Sequence, residues 1–546
     1  MSDQPEILNE ATEPTESTAS VEAVEPVYRP LDTVAAWICL LIGYLSLCVF
    51  PVTDHPLGGA LFLIGLFVAV PIFLRVQKLP LSGESVAVSL SGIAAALSLV
   101  ISANGFLHFF AYTYALIALL YLVYSATGAK LEGRLSSLLF IDLIRALFIL
   151  PFASFKELFV AVNTGRGKKS GAVLLKLLLG LALAILPTVV VLILLSYDRD
   201  FLNLLSKIIS FKPLDILRHL FRIGFGIPIG MYLFGLYASG RKGKGADVLT
   251  AEGCHAAAKT VRFAPVLTMA AASAPLLLIY VVFFVSQWKY YVSAFVGKLP
   301  AGILPANYAR EGFFQLCTVA AINLAITAAI SFFAKRRDDK PGWTVKILTL
   351  LFTVSTLVLL ATAASKMLLY IDCFGLTQKR VYASWFMVVI TVLFLMILLK
   401  QFVTRFPLIP VAASAVVVLF AALALSGVDG WIARYNVDRY LDGSLASVDI
   451  DAMDALGDAA VPAMCDLQKA LDERYGEGCC QRLAQKWGDY EFSSSSDGFN
   501  LCFRTGRFLL NSAETFRTER PNLFAVNLPR WQARRALIDA GVLPAE

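Results

Sequence analysis

The side chains of this sequence that could do chemistry are few, and most stand near the ends of long apolar runs. Asp54 and His55 close a short Thr-Asp-His-Pro turn after the first run. Asp54 is the one catalytic candidate, although the same four residues also make an ordinary connector. Cys254 and His255 are adjacent metal-ligand types. A metal site takes three or four ligands, and no second pair lies near them, so no metal is expected. Asp449, Asp451, Asp454 and Asp458 would suit calcium by charge. A calcium loop also needs a glycine at its sharp turn and a glutamate at its twelfth position, and both are missing. Ile450, Met453 and Leu456 interleave with the four aspartates at helical spacing, which makes the cluster the start of a helix, with carboxylates at its positive pole. The loops GRGKKSG (165–171) and GRKGKG (240–245) look like phosphate cradles. Neither fits GxxxxGK[ST], and neither follows a strand. They are expected to attract anionic lipid at a membrane surface. No GxSxG, HExxH or kinase set occurs, and no cofactor is implied.

The elements that must carry these residues are membrane helices. Hydrophobic residues make up 58% of the 546-residue chain and charged ones 16%, where a soluble domain is about a quarter charged. The net charge of +7 sits in short loops beside apolar runs, so it argues for membrane insertion and against nucleic acid as a partner. A span needs about 20 apolar residues. Such runs lie near 33–52, 57–76, 84–103, 106–126, 172–196, 220–239, 263–287, 313–334, 344–366, 382–400 and 407–427. The expected fold class is therefore all-α, a polytopic transmembrane helical bundle of about eleven helices over residues 32–428. A small, mostly helical soluble domain follows over 429–546. Residues 1–31 are acidic and rich in Thr, Ser and Pro, a composition that buries no core. They read as a disordered tail and not as a signal peptide, so the first run serves as an uncleaved anchor.

Two apolar stretches make poor spans. Residues 199–211 alternate as an amphipathic helix suited to the interface. Residues 136–160 carry Asp142 and Arg145 and stop at Pro151, which suggests an interfacial or re-entrant segment; if they spanned, everything after them would invert. Lys and Arg are about twice as frequent in the loops that an inner N-terminus places inside. An odd number of spans then puts the C-terminal domain outside, where Cys465, Cys479, Cys480 and Cys502 would meet oxidising conditions. In the tail, Pro462 and Gly476 bracket one helix and Pro529 and Gly541 another. Asn323 is the clearest polar residue deep in a span, of the kind that joins helices.

Three segments carry a family likeness. Residues 308–316 read YAREGFFQL and residues 370–385 read YIDCFGLTQKRVYASW. Residues 434–463 begin RYNVDRYL and end DALGDAAVPA, and the tail adds NLPRWQARRAL. In this order they resemble the bacterial integral membrane family catalogued as domain of unknown function 4173, or its sister 4153. The likeness covers roughly 260–546, while the earlier spans match only in hydropathy. It implies a bacterial multi-pass protein of the cytoplasmic (inner) membrane, with no activity attached. It also supplies binding candidates: Tyr308, Arg310, Gly312, Phe313, Gly375, Thr377, Arg380, Arg434 and Asn436. Under the N-inside topology Arg310, Arg380 and Arg434 share the outer surface. There they either form a polar binding cluster or pair with local carboxylates such as Asp372 and Asp438 and cap helix ends. The function expected is a non-enzymatic envelope or signalling component. One alternative is a transporter, which needs a midplane polar cavity. Another is a polyprenyl-phosphate-dependent transferase using Asp54 as an outer-face carboxylate, an analogy at the level of fold.

Overall fold

The computed structural model describes residues 28–49, 55–133, 135–163, 213–296, 313–335, 342–487, 498–518 and 522–544, with single positions between 180 and 198. The first helices are α1 (Pro30–Val49), α2 (Pro56–Val76), α3 (Gly83–Ile101) and α4 (Gly105–Ala126). Local chemistry sets their starts. Pro56 occupies the first turn of α2, where its missing N–H costs nothing, and the Ser82 hydroxyl accepts from Ser85 N ahead of α3. Asn104 Oδ1 accepts from Phe106 N and Leu107 N to start α4. Short helices α5 (Leu139–Ile144), α6 (Leu150–Ala153) and α7 (Glu157–Asn163) follow, with a π-turn at Arg145–Ile149. Then come α8 (Pro213–Lys242), α9 (Ala251–Val261), α10 (Val266–Val296), α11 (Phe313–Phe333), α12 (Trp343–Phe374), α13 (Gln378–Phe402) and α14 (Leu408–Leu425). The tail contains α15 (Val428–Leu441), α16 (Ile450–Asp454), α17 (Val461–Tyr475), α18 (Cys479–Trp487), α19 (Gly498–Thr518) and α20 (Leu528–Asp539).

Ten of these helices are long and apolar enough to cross a membrane among the described residues. They fall on ten of the eleven expected runs; the expected span at 172–196 and the expected interfacial helix at 199–211 lie outside the described residues. The α14 span is only 6% buried and the α10 span 11%. Leu267, Leu278, Val285 and Val418 stand exposed on them. Water would not tolerate such continuous apolar faces, whereas lipid does. Some boundaries move: α8 starts at Pro213 and α10 runs to Val296, and α12 runs to Phe374, eight residues past the expected 366, because no residue before Gly375 interrupts its hydrogen bonding.

The helices form two packed groups. α1–α4 and α8 make one, with α5–α7 against them; α10–α13 make the other, and α14 touches α3 on one side and α13 on the other. Glycines set the closest crossing in the first group. A Cβ on Gly43 of α1 would overlap the Gly226 carbonyl oxygen of α8, and one on Gly230 would stand 3.0 Å from the Cys39 carbonyl oxygen. Without side chains between them the two backbones touch, and dispersion gains what lipid cannot supply. In the second group the contact is polar. Tyr280 Oη donates to Asn323 Oδ1 at 2.5 Å, and Asn323 Nδ2 donates to Thr356 Oγ1 at 2.9 Å, so α10, α11 and α12 are joined at a buried point.

The bundle has two distinct ends. At one, Thr33 Oγ1 donates to the Ala161 carbonyl and Arg241 pairs with Asp32 at 2.5 Å. The stretch 139–163 begins and finishes there. Asp142 accepts from Tyr124 Oη, Leu147 reaches inward to accept from Tyr232 Oη, and Ala161 is back beside Thr33. At the opposite end His219 meets Tyr44 at 2.8 Å, and there the tail is seated. Phe524 packs on Gly58, Asn522 lies 3.4 Å from His55, and one apolar core runs from Leu107 and Leu376 through Val428 and Ile432 to Leu467, Leu509 and Leu537.

Candidate functional site

Of the candidates from the family-like segments, Gly375, Thr377, Arg380 and Asn436 meet where the tail joins the bundle. α12 ends because Gly375 takes φ +72 and ψ −169, a backbone state open to glycine alone, while its N–H returns to the Ile371 carbonyl at 2.8 Å. The chain then turns Leu376 into the shared core. Leu376 has no helical partner at this turn, and Asn436 of α15 supplies one. Its Oδ1 accepts from Leu376 N at 2.7 Å and its Nδ2 donates to Leu376 O at 2.8 Å. Asn436 is 4% exposed and Leu376 5%, so water cannot take over these bonds. A Cβ on Gly375 would overlap Asn436 Oδ1. Glycine and asparagine, 61 positions apart, are therefore one structural unit.

The arginines complete the turn. Arg380 Nη1 donates to the carbonyls of Phe374 (2.8 Å) and Gly375, and its guanidinium lies 4.1 Å from the centroid of the Tyr370 ring. It thus satisfies carbonyls that the end of α12 leaves orphaned. The expected carboxylate partner goes to a different arginine: Asp372 pairs with Arg439 at 3.2 Å. Thr377 precedes α13 as its N-cap residue without a side-chain hydrogen bond to the helix. Arg434, one turn from Asp438 on α15, is exposed and turned away from this network. It borders an open groove of about 840 Å³ with Asp466, Lys469, Asp472, Glu473, Glu477 and Asp539.

A second knot at the same junction was not among the sequence candidates. Asp429, in the first turn of α15, is 4% exposed and accepts from Gln378 Nε2 at 2.9 Å and from the Asn104 side chain. Burial pushes its carboxyl above the ordinary carboxylate range, and the Gln378 and Asn104 bonds oppose that. Phe106 stacks on Tyr382 at 5.1 Å beside it. The sequence signal was available: an Asp four residues after a span, and an Asn at a helix start.

At the opposite end the basic glycine loop is largely spent on internal pairs. Lys242 (3.0 Å) and Lys244 (2.5 Å) both bind Glu157, which also accepts from Tyr28 Oη. Burial pushes the Glu157 carboxyl up, but the bonds from Lys244, Tyr28 and Lys242 outweigh it and hold it at about 2. Lys244 stays half exposed. His255 bonds Glu132 at 2.9 Å, and Cys254 gains no neighbouring ligand: among the described residues no three His, Cys, Asp or Glu side chains gather to hold a metal. Asp449 accepts from Ala452 N as an N-cap. Asp54, Tyr308, Arg310 and Gly312 and the GRGKKSG loop lie outside the described residues, and Phe313 opens α11.

Residues 89–467 match the family model described as a domain of unknown function, DUF4153. The match starts in α3, well before the expected 260, takes in Gly375, Arg380, Arg434 and Asn436, and stops within α17, short of the NLPRWQARRAL segment. No curated protein and no solved structure matches the chain.

Proposed function

We propose that this chain, which belongs to the DUF4153 family, acts without catalysis as an envelope or signalling component, its membrane bundle holding a C-terminal domain at the outer surface. The observation that carries this is the use made of the motif residues. Asn436 is spent on the Leu376 backbone and Arg380 on the carbonyls of Phe374 and Gly375, while Asp429, Gln378 and Asn104 bind one another through their side chains beside that turn. Groups so engaged do not greet a substrate; they fix the angle of one body on another. Among the described motif residues, Arg434 is presented on the tail, where it borders an open groove.

The topology proposed is N-terminus inside, tail outside, with residues 139–163 re-entrant. Tyr28 and the tail occupy opposite ends of the bundle, and 139–163 returns to the end it left, which supports it. Anionic lipid is the proposed partner of the inner basic loops, chiefly through half-exposed Lys244.

Two measurements test this. In intact cells an impermeant maleimide should label Glu514→Cys, on the exposed face of α19, in an otherwise cysteine-free chain. Labelling that requires lysis would overturn the outer tail. In a deletion strain with a scored envelope phenotype, Asn436→Ala should fail to complement while Asp54→Asn complements. The reverse result would favour the transferase alternative.

A further inference from the structure

α18 and α19 lie side by side within the tail's core. Their closest approach is set by Gly506, where a Cβ would overlap the carbonyl oxygen of Cys480. One helical turn earlier on the same face of α19 is Cys502. Cys480 and Cys502 are both 0% exposed, and their thiols hydrogen-bond one another. A disulfide demands Cα atoms roughly 4.4–6.8 Å apart with the side chains facing, an approach that only a glycine at 506 leaves open here. Cys479 also reaches Cys502 but is partly exposed, and Cys465 lies on a different helix, α17.

We infer that Cys480 and Cys502 are joined as a disulfide in the mature protein, fastening α18 to α19. The inference rests on the outward tail proposed above. The two thiols give up two protons and two electrons. The electrons pass to the disulfide of a protein thiol oxidase, which leaves as a dithiol after a mixed-disulfide intermediate. The order of events follows from burial, which pushes both thiols up, Cys502 to about 11. Few thiolates form in the folded tail at neutral pH, so the exchange occurs before α18 closes on α19. Once closed, the bond is shielded from reductants for the same reason, and Cys479 stays behind as a thiol.

The test uses the full chain in its own membrane. Cells are quenched in acid, and the protein is denatured, alkylated with N-ethylmaleimide without reductant, and digested. A peptide linking Cys480 to Cys502 is expected; it should be lost in Cys502→Ala and kept in Cys479→Ala. A Cys479–Cys502 link would overturn the pairing. Full alkylation of both thiols would overturn the disulfide, and diamide added to growing cells, where it meets the tail before α18 closes on α19, then says why. If diamide links Cys480 to Cys502, the geometry holds and the outward tail is at fault. If it does not, the geometry itself is wrong.

Discussion

Replacing Asn436 with alanine removes two hydrogen bonds at once and leaves both backbone groups of Leu376 without a partner. The site is closed: Asn436 and Leu376 are 4% and 5% exposed and sit among Leu107, Val428 and Ile432. A buried polar group deprived of its bond costs about 1–3 kcal/mol. Two such groups, relieved in part by a water entering the vacated space, give about 2–4 kcal/mol. The loss is local, because the apolar core on either side is untouched, and it should open the turn between α12 and α13 without melting the bundle. Amide hydrogen exchange reads this directly. In lipid nanodiscs the peptide over residues 375–381 should exchange roughly 30- to 1000-fold faster in Asn436→Ala, at about 1.4 kcal/mol per tenfold. Peptides from α2 and α3 should hardly change. Asn436→Asp should do no better, since it sets a second acceptor against the Leu376 carbonyl. Exchange within threefold of wild type, or acceleration spread evenly over the chain, would refute the argument that this one side chain ties tail to bundle.

Three further outcomes follow from the same geometry. Gly43→Ala should lower the yield of monodisperse protein in size-exclusion chromatography, because its methyl meets the Gly226 carbonyl, while Gly65→Ala, with nothing within 4 Å of its Cβ, should not. Glu157, held at about 2 against an ordinary 4.5, contributes stability that is present above pH 4.5 and lost as pH falls toward 2. That contribution is at most about 3 kcal/mol, and Glu157→Gln should flatten the acid limb of the thermal-unfolding profile. Asp429 has the opposite sign. Its raised carboxyl favours the protonated form in the fold, so junction stability should fall as pH rises through its folded-state pKa. Exchange at residues 428–431 should show this dependence in wild type and lose it in Asp429→Asn.

Hydropathy alone located the ten helices that are long and apolar enough to cross a membrane among the described residues, since crossing lipid requires a long run of apolar residues whatever the neighbours do. Helix punctuation was equally legible in the tail: Pro462 stands in the first turn of α17, Gly476 ends it at φ +106, and Gly541 follows α20 at φ +68. These are local requirements of φ and of missing N–H groups, written into single residues. The partners were another matter. The sequence marked Gly375, Arg380 and Asn436 as a group but assigned them to a ligand or to nearby carboxylates; the fold gives Asn436 to the Leu376 backbone, Arg380 to two carbonyls, and Asp372 to Arg439. It also drew Asp429, Gln378 and Asn104 into one knot, of which the sequence showed the polar residues at helix ends but not their pairing. Hydrogen bonds across 60 or 300 residues depend on which helix ends meet, and helix ends meet only after the bundle has packed. The sequence by itself determined which segments are long and apolar enough to cross a membrane and where proline and glycine punctuate the tail helices, while tertiary structure alone decided what each polar side chain holds.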